Sequence, residues 1–185
     1  LGVAGVDGNG QAELAEAITG LRSIASGQIR VGGTDLAKTS VAYRNADLKI
    51  GYVPEDRHRV GLDLDANLSV NSVLRSFTRA PFSRRGWLNF RAIDDHANKL
   101  IKQYDVRMRD IRQSARDLSG GNQQKIVLAR EIGCNPKLLV VAQATKGLDV
   151  GAIEFVQRTL LTQRERGMAI LYISTELEEL LKISD

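Results

Sequence analysis

The sequence predicts an α/β fold, a mostly parallel sheet with helices on its faces, interrupted by an inserted helical lobe. Short apolar runs of strand length alternate with stretches of helical periodicity, the pattern of parallel strands joined by crossover helices. A glycine-rich turn separates the first such run from the first helix, and the middle of the chain has helical spacing with no convincing strand. Strands are expected at Leu1 to Val6, Gln28 to Val31, Ile50 to Val53, Leu138 to Ala142 and Ala169 to Ile173, where apolar and β-branched residues cluster. Helices are expected at Gln11 to Thr19, at Asn122 to Ile132 (stopped by Asn135-Pro136), and at Ala152 to Gln163 before Gly167.

The segment from Arg57 to Asp117 differs in kind. Val70 to Phe77 reads as a short helix and Phe90 to Tyr104 as a longer one with Ile93, Ala97, Leu100 and Ile101 on one side. Between them lies a basic, aromatic-containing linker, Arg79 to Trp87, whose Arg84-Arg85 pair suits either a solvated loop or contact with a membrane or partner. The expected domains are therefore a core of residues 1–56 and 118–185 and an inserted helical lobe of residues 57–117. The first residues already lie in a strand, so the chain reads as a piece of a longer polypeptide, without a secretory leader.

Composition narrows the class. The 185 residues suffice for one compact core, and 43% hydrophobic with 26% charged residues excludes a disordered chain. No apolar run approaches the roughly 18 residues of a membrane span. A single cysteine, Cys134, excludes an internal disulfide and fits a reducing compartment. The net charge of +4 is compatible with a polyanionic ligand or an anionic surface, and equally with a solvated surface of mixed sign.

The glycine-rich turn, Gly5-Val6-Asp7-Gly8-Asn9-Gly10-Gln11-Ala12, has the spacing of the phosphate-binding G-x-x-x-x-G-K-[ST] loop. Glycines there let backbone amides at a helix N-terminus approach phosphate oxygens. Gln11 stands where a lysine reaches the phosphates, and Ala12 where a hydroxyl holds Mg²⁺. A charge-assisted hydrogen bond contributes about 1.5–3 kcal/mol, so the loop is expected to hold nucleotide about tenfold to a hundredfold more weakly than an intact one. By itself the turn is also readable as a structural strand-to-helix connection.

Leu118-Ser119-Gly120-Gly121-Asn122-Gln123-Gln124-Lys125 opens the next core helix. This octet resembles the signature motif of ABC ATPases, in the form seen in importers of sugars and nucleosides. A helix N-terminus carries about half a positive charge, and Gly120 and Gly121 leave its amides uncovered. The resemblance implies a P-loop NTPase-type core with an ABC helical subdomain. It also implies that Ser119, Gly120, Gly121 and Gln123 act in trans, on ATP held by the P-loop of a partner nucleotide-binding domain.

The resemblance extends over nearly the whole chain, and on it the remaining motif positions are occupied by altered residues. Ala142 and Gln143 end the Walker B strand where ABC ATPases carry an aspartate for Mg²⁺ and a catalytic glutamate; loss of a general base costs about 10² to 10⁴ in rate. Thr175 stands at the switch-histidine position and Glu55 at the Q-loop glutamine position. For Glu55 a loop carboxylate paired to Arg57 is an equal reading. Asp149 in Gly147-Leu148-Asp149 matches the D-loop, while His58 and His96 are expected on the surface.

Val53 to Leu62, Ser83 to Trp87 and the VAQATKGLDVGAIEF stretch are similar to the second, degenerate nucleotide-binding domain of fused importer ATPases for simple sugars and nucleosides, in the branch served by basic-membrane-lipoprotein-type receptors. That resemblance implies several partners: a competent first domain in the same polypeptide, transmembrane permease subunits and, indirectly, a substrate-binding lipoprotein, with no nucleic acid. It implies a place at the cytoplasmic face of a bacterial membrane, weak ATP binding and poor support for Mg²⁺ in this half. A soluble ABC protein of DNA repair or translation and a purely structural pseudo-ATPase are the competing classes.

Overall fold

The computed structural model describes residues 1–184. Its elements in chain order are β1 (Gly2–Ala4), α1 (Gln11–Thr19), β2 (Arg30–Val31), β3 (Thr34–Asp35), α2 (Val41–Ala46), β4 (Ile50–Val53), α3 (Leu68–Val73), β5 (Ser83–Arg84), β6 (Trp87–Leu88), α4 (Phe90–Gln103), α5 (Gly120–Gly133), β7 (Leu138–Ala142), α6 (Val150–Glu165), β8 (Ala169–Ser174) and α7 (Leu177–Ile183). Short 3-10 turns lie at Leu36–Lys38 and Ala115–Asp117, and a π turn at Arg57–Gly61.

The chain divides into two compact units, the first made of residues 1–55, 135–146 and 157–185 and the second of residues 56–134 and 147–156. The second is wider than the expected lobe of residues 57–117, because α5 packs on α3 and α4. Burial explains this: Ile126, Val127, Leu128, Ala129 and Ile132 of α5 are all buried, so the helix is apolar on more than one side.

In the first unit, β1, β8, β7 and β4 form a parallel sheet in that order. Leu139, Val140 and Val141 are fully buried, as expected of a central parallel strand covered on both faces. One face packs Ala15 and Ile18 of α1 and Leu36 against Ile50, Val140, Ala142, Leu171 and Ile173. The expected strand at Gln28 to Val31 does not join this sheet; its last two residues pair antiparallel with Thr34–Asp35 in a ribbon of their own. Gly32 and Gly33, at φ 57° and 81°, form the two-residue left-handed turn that folds the chain back. The expected first strand also ends early, at Ala4, where the glycine-rich turn takes over.

Arg44 fastens the end of α1. Its guanidinium is buried and donates to the carbonyls of Ala17 (2.5 Å), Ile18 (3.0 Å) and Leu36 (2.6 Å) and to Thr39 Oγ1 (2.9 Å). A cation at a helix C-terminus satisfies carbonyls that have no partner within the helix. Burial lowers the Arg44 pKa from its ordinary value.

The second unit has its own small core of Val73, Phe82 and Ile93. The longer helix begins at Phe90 as expected, but the short one spans Leu68–Val73, starting two residues before Val70, because Asn67 caps it through Val70 N (2.9 Å). The segment read as a linker is a hairpin, β5–β6, turning through Arg85 and Gly86 at φ 50° and 84°. Within α5, the buried Glu131 is bound by Arg75 and by Arg130 Nε (3.0 Å), which ties the helix to the turn after α3 without an unpaired charge.

Arg44→Ala is expected to destabilise the fold by about 3 kcal/mol, since the Ala17 and Ile18 carbonyls at the end of α1 lose their donor. Arg22→Ala, which removes an exposed pair with Glu16, is expected to cost under about 0.5 kcal/mol. Urea unfolding of both variants checks the contrast; equal costs would show that Arg44 fastens nothing.

Candidate functional site

Parallel strands direct all their carboxyl-end loops to one edge of the sheet, where ligands of open α/β folds bind. The turn Gly5–Gly10 follows β1, Glu55 follows β4, Gln143 to Lys146 follow β7 and Thr175 follows β8. Four segments far apart in sequence thus share one edge, as the motif positions require.

In the glycine turn, Gly8 and Gly10 have φ of 84° and 91°, conformations that a side chain would strain. Gly10 stands at the N-cap of α1 with no side chain capping the helix, so the first-turn amides face the turn. Gln11 is buried, with only 8% of its surface exposed, and both its Nε2 and its Oε1 lack a partner in the protein. Its amide lies over the turn, since a Cβ on Gly5 would meet Gln11 Nε2 at 2.3 Å. A buried amide without a protein partner is costly, and a polar ligand at the turn would complete it. Ala12 is exposed and offers no polar group.

An ion-pair clasp spans the edge. Lys146 Nζ donates to Asp7 Oδ2 of the turn (3.1 Å) and to Glu55 Oε1 (2.5 Å). The hydrogen bond and charge of Lys146 hold the Asp7 carboxyl below its ordinary value, with a smaller contribution from the Gln143 side chain. Glu55 and then Asp7 raise the Lys146 ammonium above its own. Glu55 is therefore engaged by Lys146, a residue that the motif reading passed over because it lies 139 positions from Asp7. Gln143 is buried at φ 44°, in the left-handed region, and its N–H donates to Ile173 O (2.8 Å). A residue that is not glycine in that conformation stores strain of order 1 kcal/mol, a frequent mark of functional loops.

A second arrangement missed in the sequence fixes the strand ends. The buried Glu179 of α7 accepts, through Oε2, from Thr145 Oγ1 (2.8 Å), Tyr172 OH (2.7 Å) and Ser174 Oγ (3.3 Å). Burial, then the bond to Glu179, raises the Tyr172 phenol well above its ordinary value. One carboxylate thus orients the residues flanking Gln143 and Thr175. Thr175 itself is exposed.

In the second unit, Ser119 caps α5: its hydroxyl accepts from Asn122 Nδ2 (2.9 Å) and from Asn122 N (3.4 Å). A Cβ on Gly120 would meet Arg57 Nη2 at 2.9 Å, and one on Gly121 would meet Ala152 Cβ at 2.9 Å. Close approach therefore constrains Gly121, where the methyl of Ala152 cannot swing aside, while at Gly120 the guanidinium of Arg57 could. Asp149 accepts from Ala152 N through Oδ1 (2.9 Å) and so caps α6 beside Gly121. Gln123 is buried, donating to Ala115 O (3.0 Å), with its Oε1 2.9 Å from His58 Nε2; it stands behind the helix tip. His58 is thus a neighbour of the signature octet rather than a plain surface residue, held there by the Asp56 carboxylate capping His58 N and Arg59 N. His96 too is partly buried, its ring 4.9 Å from that of Phe82, with burial and then Lys99 lowering its pKa. Arg107 and Arg109 line an open recess of about 630 Å³ beside Ser119.

The family model described as ABC transporter matches residues 1–146. The chain belongs to that family. This ABC transporter cassette is 48% identical over 185 residues to the guanosine import ATP-binding protein NupO of Bacillus subtilis and 46% identical over 185 residues to the nucleoside import ATP-binding protein NupA of Lactococcus lactis subsp. cremoris. It is 37% identical over 187 residues to the ribose import ATP-binding protein RbsA of Bacillus licheniformis. Each alignment takes in 100% of the cassette and 36–37% of the relative, so the chain spans about a third of the length of these proteins. The crystal structure of a nucleotide-free ATP-binding cassette from an ABC transporter superposes at a TM-score of 0.79, with 18% identity, over 100% of this chain and 73% of that one. Among the described residues no helix is long and apolar enough to cross a membrane.

Two tests follow from the cassette's geometry. Asp7, depressed, contributes stability present above its ordinary value of 3.8 and lost as pH falls through the folded value; Lys146, raised, contributes stability present below 10.5 and lost as pH rises through the folded value. The clasp is therefore closed through neutral pH. In Lys146→Ala the Asp7 carboxyl is expected to titrate nearer 3.8 in a carbon-detected NMR titration, and an unchanged curve would refute the contact. Glu179→Leu, which removes the acceptor shared by three hydroxyls, is expected to lower stability by about 2–4 kcal/mol in urea unfolding; a neutral result would remove its orienting role.

Proposed function

We propose that this chain is the degenerate, second nucleotide-binding half of an import ATPase. It lends its signature helix to a triphosphate held by a competent first domain of the same polypeptide. The observation that carries the reading is the contrast between the two loop sets. The α5 tip carries its serine cap and both glycines, Gly121 hemmed in by Ala152. The sheet edge keeps its backbone while Gln11, Ala12, Ala142, Gln143 and Thr175 replace every group that would act on a phosphate.

The half still suits weak nucleotide binding, since Gln11 Nε2 is a buried donor awaiting a partner and the first-turn amides of α1 are uncapped. The residues present do not fit a divalent cation. Ala12 and Ala142 have no side-chain oxygen, and the Glu55 carboxylate is taken by an ammonium. No hydrolytic step is assigned to this half.

In the complete transporter the Ser119 cap and the α5 amides face the γ-phosphate of the first domain's ATP, and Asp149 lies at the same junction. Electrostatic donors aimed at developing charge are typically the largest single contribution to such catalysis. Hydrolysis is coupled to permease subunits at the cytoplasmic membrane face and, through them, to a receptor lipoprotein. The transported solute is a nucleoside or a simple sugar, and the two relatives above 45% identity, both nucleoside importers by name, favour the nucleoside.

In the complete transporter, Ser119→Arg is expected to lower ATP hydrolysis by about two orders of magnitude, the loss that follows removal of one transition-state donor, while Gln143→Ala changes it little. The 185-residue chain alone is expected to show no turnover above background. Normal hydrolysis in Ser119→Arg would end the proposal of action in trans.

A further inference from the structure

The hairpin of the second unit is not used by the reading above. From Ala66 to Ile93 the sequence carries five arginines (Arg75, Arg79, Arg84, Arg85 and Arg91) and no aspartate or glutamate. Arg75 is spent on Glu131. The other four are exposed, and among the described residues none pairs with a carboxylate in the manner of Arg112 with Asp94.

Apolar surface accompanies this charge. Trp87 is 82% exposed, Phe90 61%, Phe77 46% and Leu88 43%. Arg84 lies directly opposite Trp87 in the ladder, so guanidinium and indole share one face. The hairpin is held from below: Phe82 is buried against Val73 and Ile93, and Asn89 N donates to Phe82 O (2.8 Å) as the chain enters α4. A tight left-handed turn through Arg85 and Gly86 leaves the tip narrow.

An indole this exposed is disfavoured in water and gains little from neighbouring side chains. Its amphipathic ring and a ring of guanidiniums match the two layers of a bilayer interface, apolar at acyl depth and anionic at the headgroups. A groove would suit a helix or peptide; exposed aromatic side chains interspersed in sequence with positive charge alone suit a soft, anionic, two-layered surface. We infer that the Arg84–Trp87 hairpin inserts Trp87 into the headgroup region of anionic phospholipid, with Arg79, Arg84, Arg85 and Arg91 binding the phosphates. This contact is independent of the action in trans and survives if that reading fails.

Trp87 is the single tryptophan of the chain, so its fluorescence reports the contact without labelling. With the full chain, vesicles of phosphatidylcholine containing phosphatidylglycerol are expected to shift the emission to shorter wavelength. Brominated acyl chains should quench it, and salt should reverse the shift. Each arginine near an anionic surface contributes about fivefold in partitioning, so Arg84→Gln with Arg85→Gln is expected to weaken binding about 25-fold. Arg166→Gln, equal in kind but outside the patch, should weaken it less than twofold. Trp87→Ala, followed by vesicle sedimentation, is expected to reduce binding with circular dichroism unchanged. An emission maximum indifferent to anionic vesicles, equal binding to pure phosphatidylcholine, or burial of Trp87 by a permease subunit alone would each overturn the inference.

Discussion

The parallel pairing of β1, β8, β7 and β4 is the constraint from which the rest of the first unit follows. Parallel neighbours cannot be joined by tight turns, so each strand must leave the sheet and return from the far end. The glycine turn, Glu55, the Gln143–Lys146 segment and Thr175 therefore meet at one edge whatever side chains they carry. The central strand β7 is fully buried at Leu139, Val140 and Val141, so that edge is set by the most tightly packed part of the unit. Glu179 reinforces that edge by gathering three hydroxyls at the ends of β7 and β8, while Arg44 closes the carbonyl end of α1, away from it.

Geometry and charge have parted company here. Two carboxylates, Asp7 and Glu55, share one ammonium where a phosphate site would be rich in positive charge. Lys146 and Asp7 are open to solvent and Glu55 is half-buried, so the clasp is a weak latch, sensitive to salt, rather than a structural pillar. Its effect is to hold the turn beside the strand ends. In the second unit the balance is reversed, with two arginines beside Ser119 and a helix start on two glycines, one of them hemmed in by Ala152.

Local signals with a strong mechanism were legible in advance. Gln11–Thr19 was readable from its glycine turn, Leu138–Ala142 from its apolar run, and the α5 start from serine followed by paired glycines. Two-residue ribbons were not. Gly32-Gly33 and Arg85-Gly86 fold back strands too short to show alternation, so one was assigned to the main sheet and the other to a linker. The extent of the second unit was also hidden, because α5 owes its allegiance to contacts with α3 and α4. Lys146, Glu179 and His58 escaped because each meets a partner 139, 34 or 65 positions away, and only folding brings them together.

Gln143 ends β7 on a bend rather than on a straight run. Its backbone lies in the left-handed region, and its N–H extends the ladder by one step to Ile173. A left-handed residue other than glycine costs about 1–2 kcal/mol, so the contacts around it must hold it there. The kink belongs to the corner between β7 and the turn toward Lys146, as part of how the strand stops. The direction in which that turn leaves the sheet is therefore fixed by the main chain, and a different side chain at this position would inherit the same exit angle.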